Sequence, residues 1–169
     1  MPIQRLNHAV LYVRDVDRSV GFYTETLGFR TKVSIPGRAA FLQAEDSTND
    51  HDLGLFAIGE KAGASQAGRA TVGLYHLAWE VDTLAELKRI AGVLTERGAL
   101  VGASDHGTTK ALYAKDPDGI EFEVSWLVPA DRLPAHVEMI TAPLDLDAAI
   151  AEYGAQTRGG VGISVPAST

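Results

Sequence analysis

The sequence predicts an α+β fold made of two consecutive βαβββ modules, and a repeat, a doubled order of elements and a connecting stretch carry that expectation. The segments His8-Ala-Val-Leu-Tyr-Val-Arg-Asp15 and His76-Leu-Ala-Trp-Glu-Val-Asp82 each read as a histidine, a strand and a helix cap, which is an internal repeat. Each is followed by apolar residues at helical spacing and then by three short runs of β character. Between them residues 59–70, GEKAGASQAGRA, lack any periodicity and have the glycine-rich, polar composition of a connection.

Taken in order, residues 6–13 form the first strand candidate, with His8, Val10 and Tyr12 on one face and Ala9, Leu11 and Val13 on the other. Asp15 is placed to cap a helix in which Val16, Val20, Tyr23 and Leu27 recur at helical spacing, and Gly28 is placed to stop it. Strand candidates follow at 29–35, 38–44 and 52–58, the first two separated by Pro36-Gly37. In the second module a strand over 71–81 carries His76, and Asp82 is expected to cap a helix marked by Leu84, Leu87, Ala91 and Leu94 and ended by Gly98. Strands at 99–104, 110–115 and 120–127 complete it. Residues 1–127 therefore read as one domain, with modules at 1–60 and 71–127. Residues 128–169 read as an extension broken by Pro129, Pro134 and Pro143, with one short helix over 145–153 and a flexible end from Gly159.

Composition narrows the chemistry. A net charge of -7 without a basic stripe argues against a nucleic-acid partner. No apolar run approaches the ~20 residues of a membrane span, and the N-terminus lacks the basic and apolar regions of a signal peptide, so a cytoplasmic location is expected. With no cysteine in the chain, His, Asp and Glu are left as candidate metal ligands.

The densest chemistry lies in residues 105–126, DHGTTKALYAKDPDGIEFEVSW. Asp116-Pro117-Asp118-Gly119 has proline and glycine where a tight turn wants them, which predicts a hairpin. Beyond the turn, alternation puts Glu121, Glu123 and Ser125 on one face and Phe122, Val124 and Trp126 on the other. A carboxylate beside such apolar neighbours either points to water or faces a concavity where a cation offsets its burial. A lone strand histidine is more often a hydrogen-bonded structural residue than a ligand, but His8 and His76 occupy matched positions of a repeat.

The doubled βαβββ pattern, a histidine on the first strand of each half and DPDG followed by three residues and then Glu123 resemble the vicinal oxygen chelate superfamily, which includes glyoxalase I, fosfomycin-resistance enzymes, bleomycin-binding proteins and type I extradiol dioxygenases. The resemblance covers residues 3–127. It implies that the modules curl into an open mixed β-barrel around one metal, and that His8, His76 and Glu123 are the ligands.

Isomerases and lyases of the superfamily use a further glutamate on the last strand of the first module. Sixty-eight positions separate His8 from His76, and the same interval before Glu123 is Leu55, with no acid in 53–59. Asp52 and Glu60 are the nearest acids. Two histidines and one carboxylate suit Fe2+, with Mn2+ able to occupy the same ligands. His51, in NDHDLGLF, resembles the histidine that extradiol dioxygenases place beside the oxygen site. Asp105-His106-Gly107 with Tyr113 resembles their His-Gly and Tyr arrangement. By that resemblance His51, His106 and Tyr113 are catalytic, and the activity is cleavage of a catechol-type diol by O2 in a homodimer or higher homo-oligomer. A glyoxalase-like isomerase or lyase, a thiol transferase and a metal-free bleomycin-type binding protein are the other readings. Glu80 and Glu121 are expected to be solvated or to support the site, and His136 to lie on the surface.

Overall fold

This computed structural model describes residues 2–3, 5–67, 70–133 and 140–160. The chain runs β1 (Ala9–Val13), α1 (Val16–Leu27), β2 (Arg30–Ile35), β3 (Ala39–Gln43), β4 (Leu53–Ala57), β5 (Leu77–Glu80), α2 (Leu84–Glu96), β6 (Leu100–Asp105), β7 (Thr109–Lys115) and β8 (Glu121–Leu127). A 3-10 turn (Ala130–Arg132), a two-residue strand β9 (Ala142–Pro143) and α3 (Leu146–Tyr153) follow. The α+β class and the repeated βαβββ order agree with the sequence, whereas the 3-10 turn and β9 were not anticipated. Internal contacts divide the chain into one unit of residues up to 66 with 116–119, and a second of residues 67–115 with 120–169. His136 and residues 161–169 lie outside the described residues.

In the first unit the strands lie in the order β1-β4-β3-β2, with β1 parallel to β4 and β3 antiparallel to both its neighbours. Asp15 caps α1 by accepting the Arg18 N–H at 3.0 Å, and Gly28, at φ 75°, closes it in the left-handed region. The helix buries Val16, Ser19, Phe22, Tyr23 and Thr26. The sheet buries Leu11, Val13, Ala40, Leu42, Leu53 and Leu55, each large apolar side chain stabilising the unit by roughly 1.5–3 kcal/mol.

The 116–119 turn belongs to this unit through ionic contacts. Arg14 Nη1 and Arg18 Nη2 each donate to Asp118 Oδ1 at 2.8 Å, and the Arg14 backbone N–H donates to Asp118 Oδ2 at 3.0 Å. The Asp118 side chain is only 5% exposed, so these bonds offset its desolvation. The Tyr23 hydroxyl donates to Asp116 Oδ2 at 3.2 Å. Both aspartates of the turn are therefore structural braces.

The second unit has the order β5-β8-β7-β6-β9, with β5 parallel to β8. Its helix α2 is capped by Thr83, whose hydroxyl accepts the Glu86 N–H at 3.3 Å, and not by Asp82 as the sequence suggested. Thr83 stands three residues before Glu86, the spacing of a capping box. Asp82 contributes its backbone carbonyl instead, accepting the Gly159 N–H at 2.9 Å. Residues Leu84, Leu87, Ile90 and Leu94 form the buried face of α2. Asp145 caps α3 through the Ala148 N–H at 3.0 Å.

Gly159, where the flexible end was expected to begin, is tightly packed. A Cβ there would lie 2.0 Å from the Leu127 carbonyl oxygen and 2.8 Å from Trp126 Nε1. Trp126 Nε1 donates to the Thr157 carbonyl at 3.2 Å, so residues 154–160 cover a fully buried tryptophan. A low apolar content concealed this because the contacts are made by backbone.

Gly159→Ala should lower the melting temperature by several degrees, since overpacking costs about 1–3 kcal/mol. Gly63→Ala, which meets only open space, should leave it unchanged in the same thermal scan. Burial, and then the Asp116 carboxylate, hold the Tyr23 phenol well above its ordinary 10.0. The stability this contributes is complete below about pH 10 and lost as pH rises through the folded-state value, because the unfolded chain ionises first. Tyr23→Phe should lose about 1 kcal/mol at neutral pH and show a shallower alkaline decline in denaturant titrations.

Candidate functional site

The parallel β5–β8 ladder pairs Ala78 with Glu123, and His76 immediately precedes β5. This sets His76 Nε2 3.3 Å from Glu123 Oε2, with the side chains 24% and 13% exposed. Among the described residues His76 Nδ1 is buried without a hydrogen-bond partner, so the ring's polar outlet is Nε2, toward the carboxylate. Two adjacent ligands at metal bonds of ~2.1 Å would stand about 3 Å apart, so this nitrogen and oxygen fit a hard divalent cation. The Glu123 carboxylate thus turns toward His76 rather than water.

Tyr113 lies directly opposite Glu123 on the β7–β8 ladder. Its hydroxyl is 3.0 Å from His106 Nε2. Burial, and then the Glu123 carboxylate, raise the Tyr113 pKa, so the phenol keeps its proton with two acceptors within reach. His106 sits in the β6–β7 turn, its N–H donating to the Thr109 carbonyl. Asp105 Oδ1 holds that turn by accepting the Gly107 N–H at 2.8 Å and the Lys110 ammonium at 2.6 Å. Burial alone would raise the Asp105 carboxyl, but Lys110 and the Gly107 N–H hold it below the usual value. On its other side His106 Nδ1 is 3.1 Å from the Ile140 carbonyl oxygen and 3.3 Å from Thr141 Oγ1.

In the first unit His8 immediately precedes β1, and its Nδ1 lies 2.7 Å from Asn7 Oδ1. An amide oxygen only accepts, so Nδ1 carries the proton and Nε2 the lone pair. The His51 ring stands 4.5 Å from that of His8 and 5.0 Å from that of Phe41. At 16% side-chain exposure it is not a solvated loop histidine. Asp50 Oδ2 contacts His51 Nδ1 at 3.0 Å, and that hydrogen bond lowers the Asp50 pKa.

Counting from the histidines placed Leu55 at the position equivalent to Glu123; the ladders place Gly54 there. Ala9 pairs with Leu53 and Val10 with Gly54, just as Leu77 pairs with Phe122 and Ala78 with Glu123. Phe41 faces Gly54 as Tyr113 faces Glu123. The modules differ by one residue between first and last strands, which shifted the count. Gly54 has no side chain to offer a metal. Asp52 has both oxygens engaged, by the Ala44 N–H at 2.8 Å, Ser47 Oγ at 2.7 Å and Asn49 Nδ2 at 2.6 Å, and Glu60 is exposed in the turn after β4.

One unit thus brings together His76, Glu123, Tyr113 and His106, and the other His8 and His51. Within neither unit do three or more His, Asp or Glu side chains gather closely enough to hold a metal ion, among the described residues. Ile140 and Thr141 went unnoticed in the sequence, since a backbone carbonyl has no sequence signature. Lys110 carried a signal, a cation in the alternating run Lys110–Lys115 whose neighbours Leu112 and Ala114 share its buried face.

The sequence profile of the Glyoxalase/Bleomycin resistance protein/Dioxygenase superfamily matches residues 5–124. The chain is 28% identical to a catechol-2,3-dioxygenase of Bacillus subtilis (strain 168), over 88% of this chain and 52% of that protein. It is 30% identical to a lactoylglutathione lyase of Oryza sativa subsp. japonica, over 84% of this chain and 50% of that protein. The chain spans about half the length of these two relatives. A solved glyoxylase/bleomycin resistance protein/dioxygenase domain from Frankia sp. EAN1pec superposes with a TM-score of 0.61 at 23% identity, covering 73% of this chain and 92% of that one. The profile, the repeated module and the ladder geometry agree, and the chain belongs to the glyoxalase/bleomycin resistance protein/dioxygenase superfamily.

Proposed function

We propose that this protein is an Fe(II)-dependent extradiol dioxygenase that opens the ring of a catechol-type diol with O2. The metal's protein ligands are His8, His76 and Glu123, and His51, His106 and Tyr113 handle protons. The observation that carries this reading is the Tyr113–His106 hydrogen bond lying directly against the His76–Glu123 pair. A diol must lose protons as it binds a cation, and a neutral imidazole hydrogen-bonded to a phenol can accept one beside the ligand carboxylate. Fe(II) bound there would supply the open coordination positions at which diol and O2 meet.

The protein's own residues divide the remaining work. Tyr113 directs its proton to His106, and its oxygen can accept a hydrogen bond from a diol hydroxyl. His106 Nε2 receives a proton through Tyr113 or directly from the diol. His51, packed between His8 and Phe41 with its Nδ1 in contact with Asp50, is held in place to donate to an oxygen-bearing ligand. Gly54 adds no second carboxylate, which favours a diol and O2 over chemistry that needs a four-ligand site. The 28% identity to a catechol-2,3-dioxygenase supports the same choice, and that to a lactoylglutathione lyase supplies the competing one.

Reconstituted with Fe(II), the protein should consume O2 mole for mole with some member of a panel of substituted catechols, giving a coloured ring-opened product. Turnover of a glutathione hemithioacetal with no O2 uptake on any catechol would replace this reading with the lyase. Glu123→Gln should lose most bound iron by elemental analysis while Glu121→Gln keeps it; equal occupancy would mean that Glu123 is not a ligand. Tyr113→Phe should retain iron and lose ~10²–10⁴-fold in turnover, and a loss below tenfold would remove Tyr113 from the chemistry.

A further inference from the structure

We propose that the C-terminal segment at β9 is a tautomer lock: the Ile140 backbone carbonyl holds the proton of neutral His106 on Nδ1, which makes Nε2 the acceptor aimed at Tyr113. A neutral imidazole has one N–H and one lone pair, and which nitrogen has which is fixed by the partner that cannot change its role. For His106 that partner is the Ile140 carbonyl, 3.1 Å from Nδ1. A carbonyl only accepts, so the hydrogen lies on Nδ1 and the Nε2 lone pair meets the Tyr113 hydroxyl at 3.0 Å. Thr141 Oγ1, 3.3 Å from the same Nδ1, adapts to either state because a hydroxyl both donates and accepts.

The segment is delivered by strand pairing. β9 adds to the free edge of β6, with Asp105 opposite Ala142 and Ser104 opposite Pro143, so the pairing ends one residue before His106. Pro143 lacks an N–H, which suits the last strand of a sheet. From the other side the turn is fixed by Asp105, which accepts from Gly107 and from Lys110. The Lys110 side chain is 4% exposed and lies 5.4 Å from the Tyr153 ring of α3. The imidazole is thus held at the Nδ1 end by β9 and at its backbone by a buried ion pair.

The consequence is the direction of a hydrogen-bond chain. With Nδ1 protonated, the single Tyr113 proton points to His106, and His106 is ready to accept it. With the other tautomer, Nε2–H would donate to the Tyr113 oxygen, the phenol proton would turn toward Glu123, and His106 would have no lone pair facing the site. Ile140 and β9, in the extension after Leu127 to which the sequence assigned no chemistry, thereby become positioning elements. As an assignment of one proton the proposal stands by itself. As a role in turnover it rests on the dioxygenase reading.

The test is long-range proton–nitrogen NMR on metal-free protein labelled with nitrogen-15 in its histidines, at about pH 9, where imidazoles of ordinary pKa ~6.5 are neutral. Wild-type His106 should show its proton on Nδ1. Thr141→Val, which keeps the carbonyl, should show the same. Ala142→Pro, which disrupts β9 pairing, should give a mixture of both tautomers and, on a catechol substrate, a lower kcat with little change in KM. A wild-type His106 protonated on Nε2 overturns the proposal without recourse to any variant, as does an Nδ1 proton undisturbed in folded Ala142→Pro. An Nδ1 proton in wild type, lost in Ala142→Pro, with no O2 uptake on any catechol would uphold the lock and overturn the dioxygenase reading alone.

Discussion

Glu123 sits in the middle of β8 with Phe122, Val124 and Trp126 buried around it, and a carboxylate in that setting needs compensation. Burying a charge without a partner costs several kcal/mol. Two ladders supply the partners: β5, parallel on one side, brings His76, and β7, antiparallel on the other, brings Tyr113. Once this carboxylate is fixed, His106 follows through Tyr113, and Ile140 and the Asp105–Lys110 pair follow through His106. The second unit's chemistry is a single chain of polar contacts laid across four strands.

The first unit repeats the scaffold without that carboxylate. Gly54 replaces Glu123 and Phe41 replaces Tyr113, and the Phe41 ring stands edge-on to that of His51, which lies 4.5 Å from that of His8. Two of its acids are braces: Asp52 holds the loop before β4, and Asp118 ties Arg14 and Arg18 to the 116–119 turn. Both halves keep the fold, but Gly54 and Phe41 stand where the other half pairs Glu123 with Tyr113.

Much of this was legible in the sequence because it is local. Asp15 and Gly28 act at helix ends through bonds to residues a few positions away, and strand alternation put Glu123 on the face opposite Phe122 and Val124. What escaped was set by register or by backbone. A one-residue difference between the modules moved the equivalent of Glu123 from Leu55 to Gly54, and Thr83 displaced Asp82 as a cap by one position. Gly159 and Ile140 act through main-chain atoms, so their residue types could not announce them. The burial of the His51 ring was not legible because it comes from His8 and Phe41, which are separated from it in sequence.

The central claim is a three-ligand iron site with no further protein carboxylate. Its most direct measurement is a crystal structure of the Fe(II)-loaded protein with the iron located by anomalous scattering at its absorption edge. The account predicts a single strong peak bonded to His8, His76 and Glu123, with its remaining positions open or held by water. A peak bonded to any further Asp or Glu, or one that leaves Glu123 uncoordinated, would contradict it.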